Sequence, residues 1–459
     1  MSINQKSSFV KSIFNEVKYW NFLKESWSLT WPIIMIMAFS FFMNMTDIIV
    51  AGILGKETQA AIGMANQIYY VFNVVINAVS VGTIALVSRV YAGYERKKEL
   101  SSTIFTTVVF AAVSSLVVTI LAAIFAPLVI ARLDIDPEVK ARTITFTYAY
   151  CVGLFFHLTV THYSSILRAC KMIKASMKVL VSASLLNIIL TIVFVFYTPL
   201  GYVGIPLSTS AVWILAFIIL SVTIFRLMKG EKKFSREAAK KIFTISWPMG
   251  IVSASWQFSS MILFVIVGVL PTNSVEVMAA MTAGLRIESM IFMPAFAFNM
   301  ANAVLVGSLL GENKPDDAFT AGLVTAVAGV TTIIVLTIIV IAFVEPIARI
   351  LGSKDETGAV DPAVMREIMR YLYIVMLSEP FMAANLMFSG ALNGAGDTRP
   401  LMKYTLFSLC IVRIPTAYIF GIVLGFGAAA IWWAMNVTFV CQSFLSGRRF
   451  LSRKWAKNI

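Results

Sequence analysis

Apolar runs of about 20 residues recur along the whole chain, separated by short polar segments. Each run is continuous rather than alternating with period two, which excludes a β-barrel. Each is also long enough to cross roughly 30 Å of hydrocarbon as an α-helix. Twelve spans are expected, at 29–53, 62–86, 103–131, 143–167, 176–197, 203–225, 244–270, 279–308, 319–348, 371–393, 404–423 and 428–447. The fold class read from this pattern is an all-α integral membrane protein with twelve transmembrane helices.

Composition agrees. Of 459 residues, 59% are hydrophobic and 13% charged, about half of the roughly 25% charge that a soluble surface carries. Twelve is even, so both termini share one side, and the distribution of basic residues tests the count. With the termini inside, 27 of the 37 Lys and Arg fall on the inner side, counting Lys178 at the inner end of its span. Eight fall on the outer side, and Arg286 and Arg413 lie within spans. The net charge of +14 is therefore a cytoplasmic skirt facing anionic lipid rather than a nucleic-acid patch. A multi-pass location in the plasma (inner) membrane is expected, with both termini cytoplasmic.

Residues 1–28 do not resemble a cleavable signal. Lys6, Lys11, Lys18 and Lys24 alternate with Phe14, Val17, Trp20 and Trp27, as in an amphipathic interfacial lead-in. The four cysteines, Cys151, Cys170, Cys410 and Cys441, lie in or beside spans without metal spacing, so packing is their expected role. The basic stretch 226–243 carries seven Lys and Arg. It divides the chain into an N-terminal six-helix lobe (29–225) and a C-terminal one (244–447), followed by a basic tail (448–459).

The two halves repeat each other. Trp31-Pro32 opens the first span and Trp247-Pro248 the seventh, 216 residues later. Residues 78–86 parallel 297–305, and Leu167, Met177 and Lys178 parallel Leu392, Met402 and Lys403. With six helices per half the repeats are parallel, related by an axis along the membrane normal and disposed about a central cavity.

At the residue level the chain resembles the multidrug and toxic compound extrusion (MATE) family. Residues 32–55 (PIIMIMAFSFFMNMTDIIVAGILG) are similar to its first helix, a proline followed fifteen residues on by an aspartate and a Gly-x-Leu-Gly exit. Residues 390–400 (GALNGAGDTRP) with Arg413-Ile414-Pro415 resemble its tenth-to-eleventh helix signature, and residues 301–311 the end of its eighth helix. The resemblance implies two pseudo-symmetric lobes around a central cleft. It further implies an antiporter expelling amphipathic organic cations, driven by Na⁺ or H⁺.

Asp47 lies about two-thirds of the way out along the first span. A carboxylate there costs several kcal/mol unless it is paired, hydrated or protonated, and burial favours its neutral form, which suits proton uptake. Asn187 and Thr191 are four apart on one helical face, and Thr209 sits in the sixth span. The family's pattern resembles Asn-x-x-x-Asp with a Thr further on, so Thr191 stands where an acid is expected. A carboxylate pair cannot form in this lobe, yet Asp47, Asn187, Thr191 and Thr209 can still offer oxygens to Na⁺. The resemblance implies that these four couple the ion, and that Pro32 lets the first helix bend. No other metal and no cofactor is expected.

The C-terminal lobe departs from the family too. Where one branch, the NorM-type, carries a seventh-helix Glu, this chain has Trp256 followed by Gln257. The usual tenth-helix acid would fall near Met382, whereas Glu379 lies one turn earlier and precedes Pro380. Two roles are open to Glu379: a second protonation or cation-attracting site, or pairing with an Arg such as Arg413. Arg286 and Glu288, two apart, point to different faces. Met293 belongs to a group of methionines in spans expected at the cleft, where polarizable side chains suit promiscuous apolar cations. His157 and His162 read as packing residues, with His157 kept as a candidate. Trp256, Gln257, Arg286, Glu288, Met293, Glu379 and His157 are thus the candidates for the substrate cleft.

No phosphate loop, Ser-His-Asp set or metal-ligand cluster appears, so an enzyme is not expected. The resemblance is nearer the DinF-type branch, and the missing seventh-helix Glu favours H⁺ over Na⁺. The expected protein is a monomeric H⁺ (or Na⁺) antiporter whose partners are an amphipathic small molecule and membrane lipid. The alternatives are a lipid-linked oligosaccharide or lipid II flippase of the same superfamily, disfavoured by twelve spans and two intramembrane Arg, and a channel, disfavoured by the repeat.

Overall fold

The computed structural model describes residues 3–93, 99–133, 135–351 and 361–457, with side chains of the first helix from residue 16 onward. The extreme ends of the expected lead-in and tail, residues 1–2 and 458–459, lie outside the described residues. The first six helices are α1 (Ile3–Ile53), α2 (Lys56–Ala92), α3 (Leu100–Arg132), α4 (Pro137–Ala169), α5 (Ile173–Phe196) and α6 (Gly204–Leu227). Then follow α7 (Arg236–Gly268), α8 (Ser274–Gly311), α9 (Pro315–Ala342), the short α10 (Val344–Leu351), α11 (Pro362–Val375) and α12 (Glu379–Gly394). The chain ends in α13 (Thr398–Leu406), α14 (Ile414–Tyr418) and α15 (Ala428–Leu451).

Among the described residues, twelve helical stretches are long and apolar enough to cross a membrane, one for each expected span. The tenth runs through α11 and α12, and the eleventh runs from Thr398 to Val423. The ninth ends sooner than expected, at Ala342, because Pro346 has no N–H to offer the Ala342 carbonyl. In the eleventh, Pro415 likewise cannot bond back to Ile411, and the preceding segment Phe407–Arg413 widens into a π-helix.

Helix packing is of the membrane kind, small residues inward and large ones outward. Along α3, Ala111, Ser115, Val118, Ala122 and Ala126 are buried, while Val113, Leu116, Ile120, Ile124 and Leu128 stay exposed. Both series step by three or four residues, so they are two faces of one helix. The exposed face suits hydrocarbon, and the small face permits close approach.

The chain forms two compact units, 31–250 and 1–30 with 251–459. The boundaries fall beside the two Trp-Pro pairs, within α1 and α7, where Pro32 and Pro248 each remove one helical hydrogen bond. In the first unit, the basic connector is tied to α3. Gly230 N donates to Ser101 Oγ (2.7 Å), Ser235 N to Thr106 Oγ1 (2.8 Å), and Ser102 Oγ to the Lys233 carbonyl (2.7 Å). In the second unit, Phe22 of the lead-in packs with Phe450 and Trp455, and Lys18 pairs with Asp317 at 2.6 Å.

The repeat is visible in backbone detail. After α4, Met172 N bonds to the Leu167 carbonyl and Lys171 N to that of Arg168; after α12, Asp397 N bonds to Leu392 and Gly396 N to Asn393. Both are Schellman turns, offset by 225 residues, and the left-handed position is Lys171 (φ 55°) in one and Gly396 (φ 74°) in the other.

Gly390 and Gly394, one turn apart on α12, lie against the α8 backbone. A Cβ would fall 2.4 Å from the Asn299 carbonyl oxygen at Gly390 and 2.1 Å from that of Ala303 at Gly394. Backbone cannot yield as a side chain can, so Gly394→Ala is expected to destabilise the protein by about 1–3 kcal/mol. Gly63→Ala, whose Cβ meets nothing within 4 Å, is the control. Thermal unfolding in detergent should show a lowered midpoint for the first and an unchanged one for the second.

Candidate functional site

Three helices of the first unit bring the expected polar residues together. Asp47 projects from α1, Asn187 and Thr191 from one face of α5, and Thr209 from α6; all four are buried. Thr191 Oγ1 donates to Asp47 Oδ1 at 3.1 Å, and Thr209 Oγ1 reaches Asp47 Oδ2 at 3.5 Å. Asn187 Nδ2 donates to Thr209 Oγ1 at 3.1 Å. Each carboxylate oxygen thus faces one hydroxyl, and the second hydroxyl is itself polarised by an amide.

Ser208 completes the cluster and was not singled out from the sequence. Its Oγ lies 2.7 Å from Thr191 Oγ1 and 2.7 Å from the Ile205 carbonyl. Its only sequence signal was adjacency to Thr209. The set is reversible by proton accounting, because a hydroxyl donates once but accepts freely. With Asp47 charged, Thr191 and Thr209 point their protons at it. With Asp47 protonated, its own O–H can point at Thr191, whose proton then turns to Ser208 or to Asn187 Oδ1, 3.5 Å away. Either charge state leaves the buried groups bonded.

The second unit holds a different constellation. Glu288 on α8 accepts a hydrogen bond from the Tyr371 hydroxyl on α11. Glu379, at the start of α12, is fully buried, and neither of its carboxylate oxygens has a partner. The two carboxylates lie within electrostatic reach of each other, and Tyr371 senses both of them and Arg413. Tyr371 and its role were not anticipated; a tyrosine at the mouth of an apolar span resembles an ordinary interfacial aromatic.

Arg413 does not pair with Glu379, contrary to one role the sequence left open. Its guanidinium lies over the rings of Trp256 (4.8 Å) and Phe439 (5.2 Å), which stack on each other at 5.7 Å. The π-helix ahead of Pro415 shifts the helical register by one residue and re-aims Arg413 onto those rings.

The other candidates disperse. Arg286 and Gln257 are exposed and Met293 half-buried, while Glu288 is buried, so Arg286 and Glu288 do occupy different faces. His157 is hydrogen-bonded to the Tyr69 hydroxyl and packs on Trp213 with ring centroids 4.2 Å apart. Pro32 is buried inside α1, which continues through it.

Twelve apolar helices with a few buried, hydroxyl-bonded or unpartnered carboxylates define the class as a polytopic membrane transporter. The MatE family model matches the chain twice, over residues 32–193 and 248–419. Both matches begin at the proline of a Trp-Pro pair, as the internal repeat requires. The chain belongs to the MatE family. It is 25% identical over 424 residues to the probable multidrug resistance protein NorM of Thermotoga maritima, covering 90% of this chain and 89% of that one. It is 23% identical over 444 residues to the uncharacterized transporter YisQ of Bacillus subtilis, covering 93% and 94%. Among solved structures, the Vibrio cholerae MATE transporter VcmN in its bent form shares the fold with a TM-score of 0.86 at 16% identity, over 95% of this chain and 98% of that one. A MOP-superfamily transporter from Pyrococcus furiosus does so at 0.85 and 18%, over 94% and 97%. The DinF-type branch expected from the sequence finds no separate support in these matches.

If Thr191 serves Asp47 as described, Thr191→Val removes one carboxylate donor at constant shape. It should cost about 1–3 kcal/mol of stability where Asp47 is charged, and much less in an Asp47→Asn background. A double-mutant cycle by thermal unfolding measures the coupling, and strictly additive effects would show that the two residues do not interact.

Proposed function

We propose that the protein is a secondary antiporter that exports amphipathic organic cations or toxic metabolites in exchange for H⁺. In this reading its two six-helix lobes alternate access to a central cleft. The observation that carries the reading is the Asp47 cluster: one buried carboxylate whose partners accommodate both the charged and the protonated state. The multidrug resistance named for NorM relatives supports the export of amphipathic compounds.

H⁺ is favoured over Na⁺ because the cluster offers a single carboxylate, Thr191 standing in place of a second acid. Na⁺ is the alternative ion, with Asp47, Asn187, Thr191 and Thr209 supplying oxygens. Neutralising Asp47 removes the one formal charge on the outer half of α1, and Pro32 provides the place for that helix to bend. One elementary charge moving across 100 mV supplies about 2.3 kcal/mol, enough for roughly fiftyfold accumulation. The working form is a monomer in the plasma (inner) membrane with both termini cytoplasmic, in line with the inner excess of Lys and Arg.

Transport of a fluorescent cationic dye in proteoliposomes, under separate H⁺ and Na⁺ gradients, tests this. Uphill dye movement is expected with the H⁺ gradient alone and is expected to vanish in Asp47→Asn. Uphill movement that survives Asp47→Asn would move coupling to another residue. Dependence on Na⁺ alone would replace the ion, and no uphill movement under either gradient would favour a lipid or narrow-substrate transporter.

A further inference from the structure

The second unit contains two halves of a bidentate ion pair that are not joined. On Glu379, Oε1 and Oε2 are both buried without a partner; on Arg413, Nε and Nη2 are likewise buried and unpartnered. Nε and Nη2 are the two donors of the side-on fork that guanidinium uses on carboxylates. Arg449 uses those same two atoms on Asp397 elsewhere in this protein, at 2.6 and 3.1 Å. Arg413 is 3% exposed and Glu379 fully buried, so water does not supply what the fork lacks.

Arg413 lies instead on an aromatic platform, 4.8 Å from the Trp256 ring and 5.2 Å from that of Phe439. Phe439 is buried, whereas Trp256 is half-buried and sits between half-buried Ser255 and exposed Gln257 on α7, so the platform can be approached along Trp256. The groups facing this cluster are Glu288 from α8, Tyr371 from α11, Glu379 from α12 and Arg413 from the π-helix before α14. Glu288 is held by Tyr371, which leaves Glu379 as the carboxylate free to receive the fork.

We propose that Trp256 and Phe439 form a binding site for planar organic cations which Arg413 occupies as a built-in surrogate, and that a ligand taking this platform sends the Arg413 fork to Glu379. The inference rests on the reading that the protein handles organic cations and assigns them a subsite. Two cations cannot share the platform without repulsion, and the departing guanidinium gains two charge-assisted hydrogen bonds that the resting arrangement lacks. Glu379 therefore acts on the ligand through Arg413, as a positioning residue. Binding and side-chain exchange are coupled, because the ligand favours one of two discrete arrangements.

Equilibrium binding of ethidium to the purified full-length protein tests this, using wild type, Trp256→Ala, Glu379→Gln and the double variant. Trp256→Ala should weaken ethidium by about tenfold, the scale of a desolvated cation–π contact. Glu379→Gln should weaken it by about fivefold, since a neutral amide is a poorer home for the guanidinium. The double variant should be no weaker than Trp256→Ala alone, because the coupling runs through the platform. Should Glu379→Gln not fold, Arg413→Gln is the substitute and should bind ethidium more tightly than wild type. The proposal is overturned by wild type that binds no ethidium, by wild-type affinity in Glu379→Gln, by independent losses that multiply in the double variant, or by weaker binding in Arg413→Gln. Asp47→Asn is assayed in parallel and should keep Trp256-dependent binding. Loss of uphill transport in that variant bears on the coupling ion and leaves the subsite as measured.

Discussion

A polar group inside a hydrocarbon layer has no water to turn to, so its partners must come from the protein itself. Every feature that sets this chain apart from a plain bundle of apolar helices follows from how it meets that constraint. Asp47 meets it with hydroxyls from α5 and α6, one on each oxygen. Asn302 meets it by donating to the backbone carbonyls of Gly322 and Met387. Glu379 does not meet it, and Arg413 meets it only through aromatic faces. The satisfied and the unsatisfied groups mark where charge can be exchanged.

The two units show one frame carrying two chemistries. The same Trp-Pro pairs, the same Schellman turns and the same family match recur at offsets of 216 to 225 residues, so the backbone repeat is well preserved. The polar contents have diverged completely. One unit places a lone carboxylate among short hydroxyl side chains, which can reverse their hydrogen bonds without moving. The other places two carboxylates, a tyrosine and an arginine around a stacked aromatic pair, where satisfying one group requires another to move. A fixed cluster suits a small ion, and a mobile arginine suits an exchange with something larger.

The spans were readable because hydrocarbon thickness sets helix length and the inner excess of Lys and Arg sets orientation. The cluster around Asp47 was readable because Asn187 and Thr191 are four apart and the family pattern supplied the third helix. Ser208 was missed because a serine in a span is an ordinary packing residue unless its neighbour is known. The second unit was harder. Glu288, Tyr371 and Arg413 come from three helices whose facing sides no periodicity reveals. The π-helix before Pro415 shifts the register there, so an α-helical projection places Arg413 wrongly. Pairing with Glu379 was the natural guess for two opposite charges, and the aromatic platform is what displaced it.

The central claim is that Asp47 changes its charge state inside a cluster that keeps it bonded both ways. Infrared difference spectroscopy of the membrane-reconstituted protein across a pH titration addresses this directly, through the C=O stretch of a protonated carboxyl group. A band that appears on acidification, is absent in Asp47→Asn and shifts in frequency in Thr191→Val is the predicted result. A band that persists unchanged in Asp47→Asn would place the titrating carboxyl elsewhere and contradict the account.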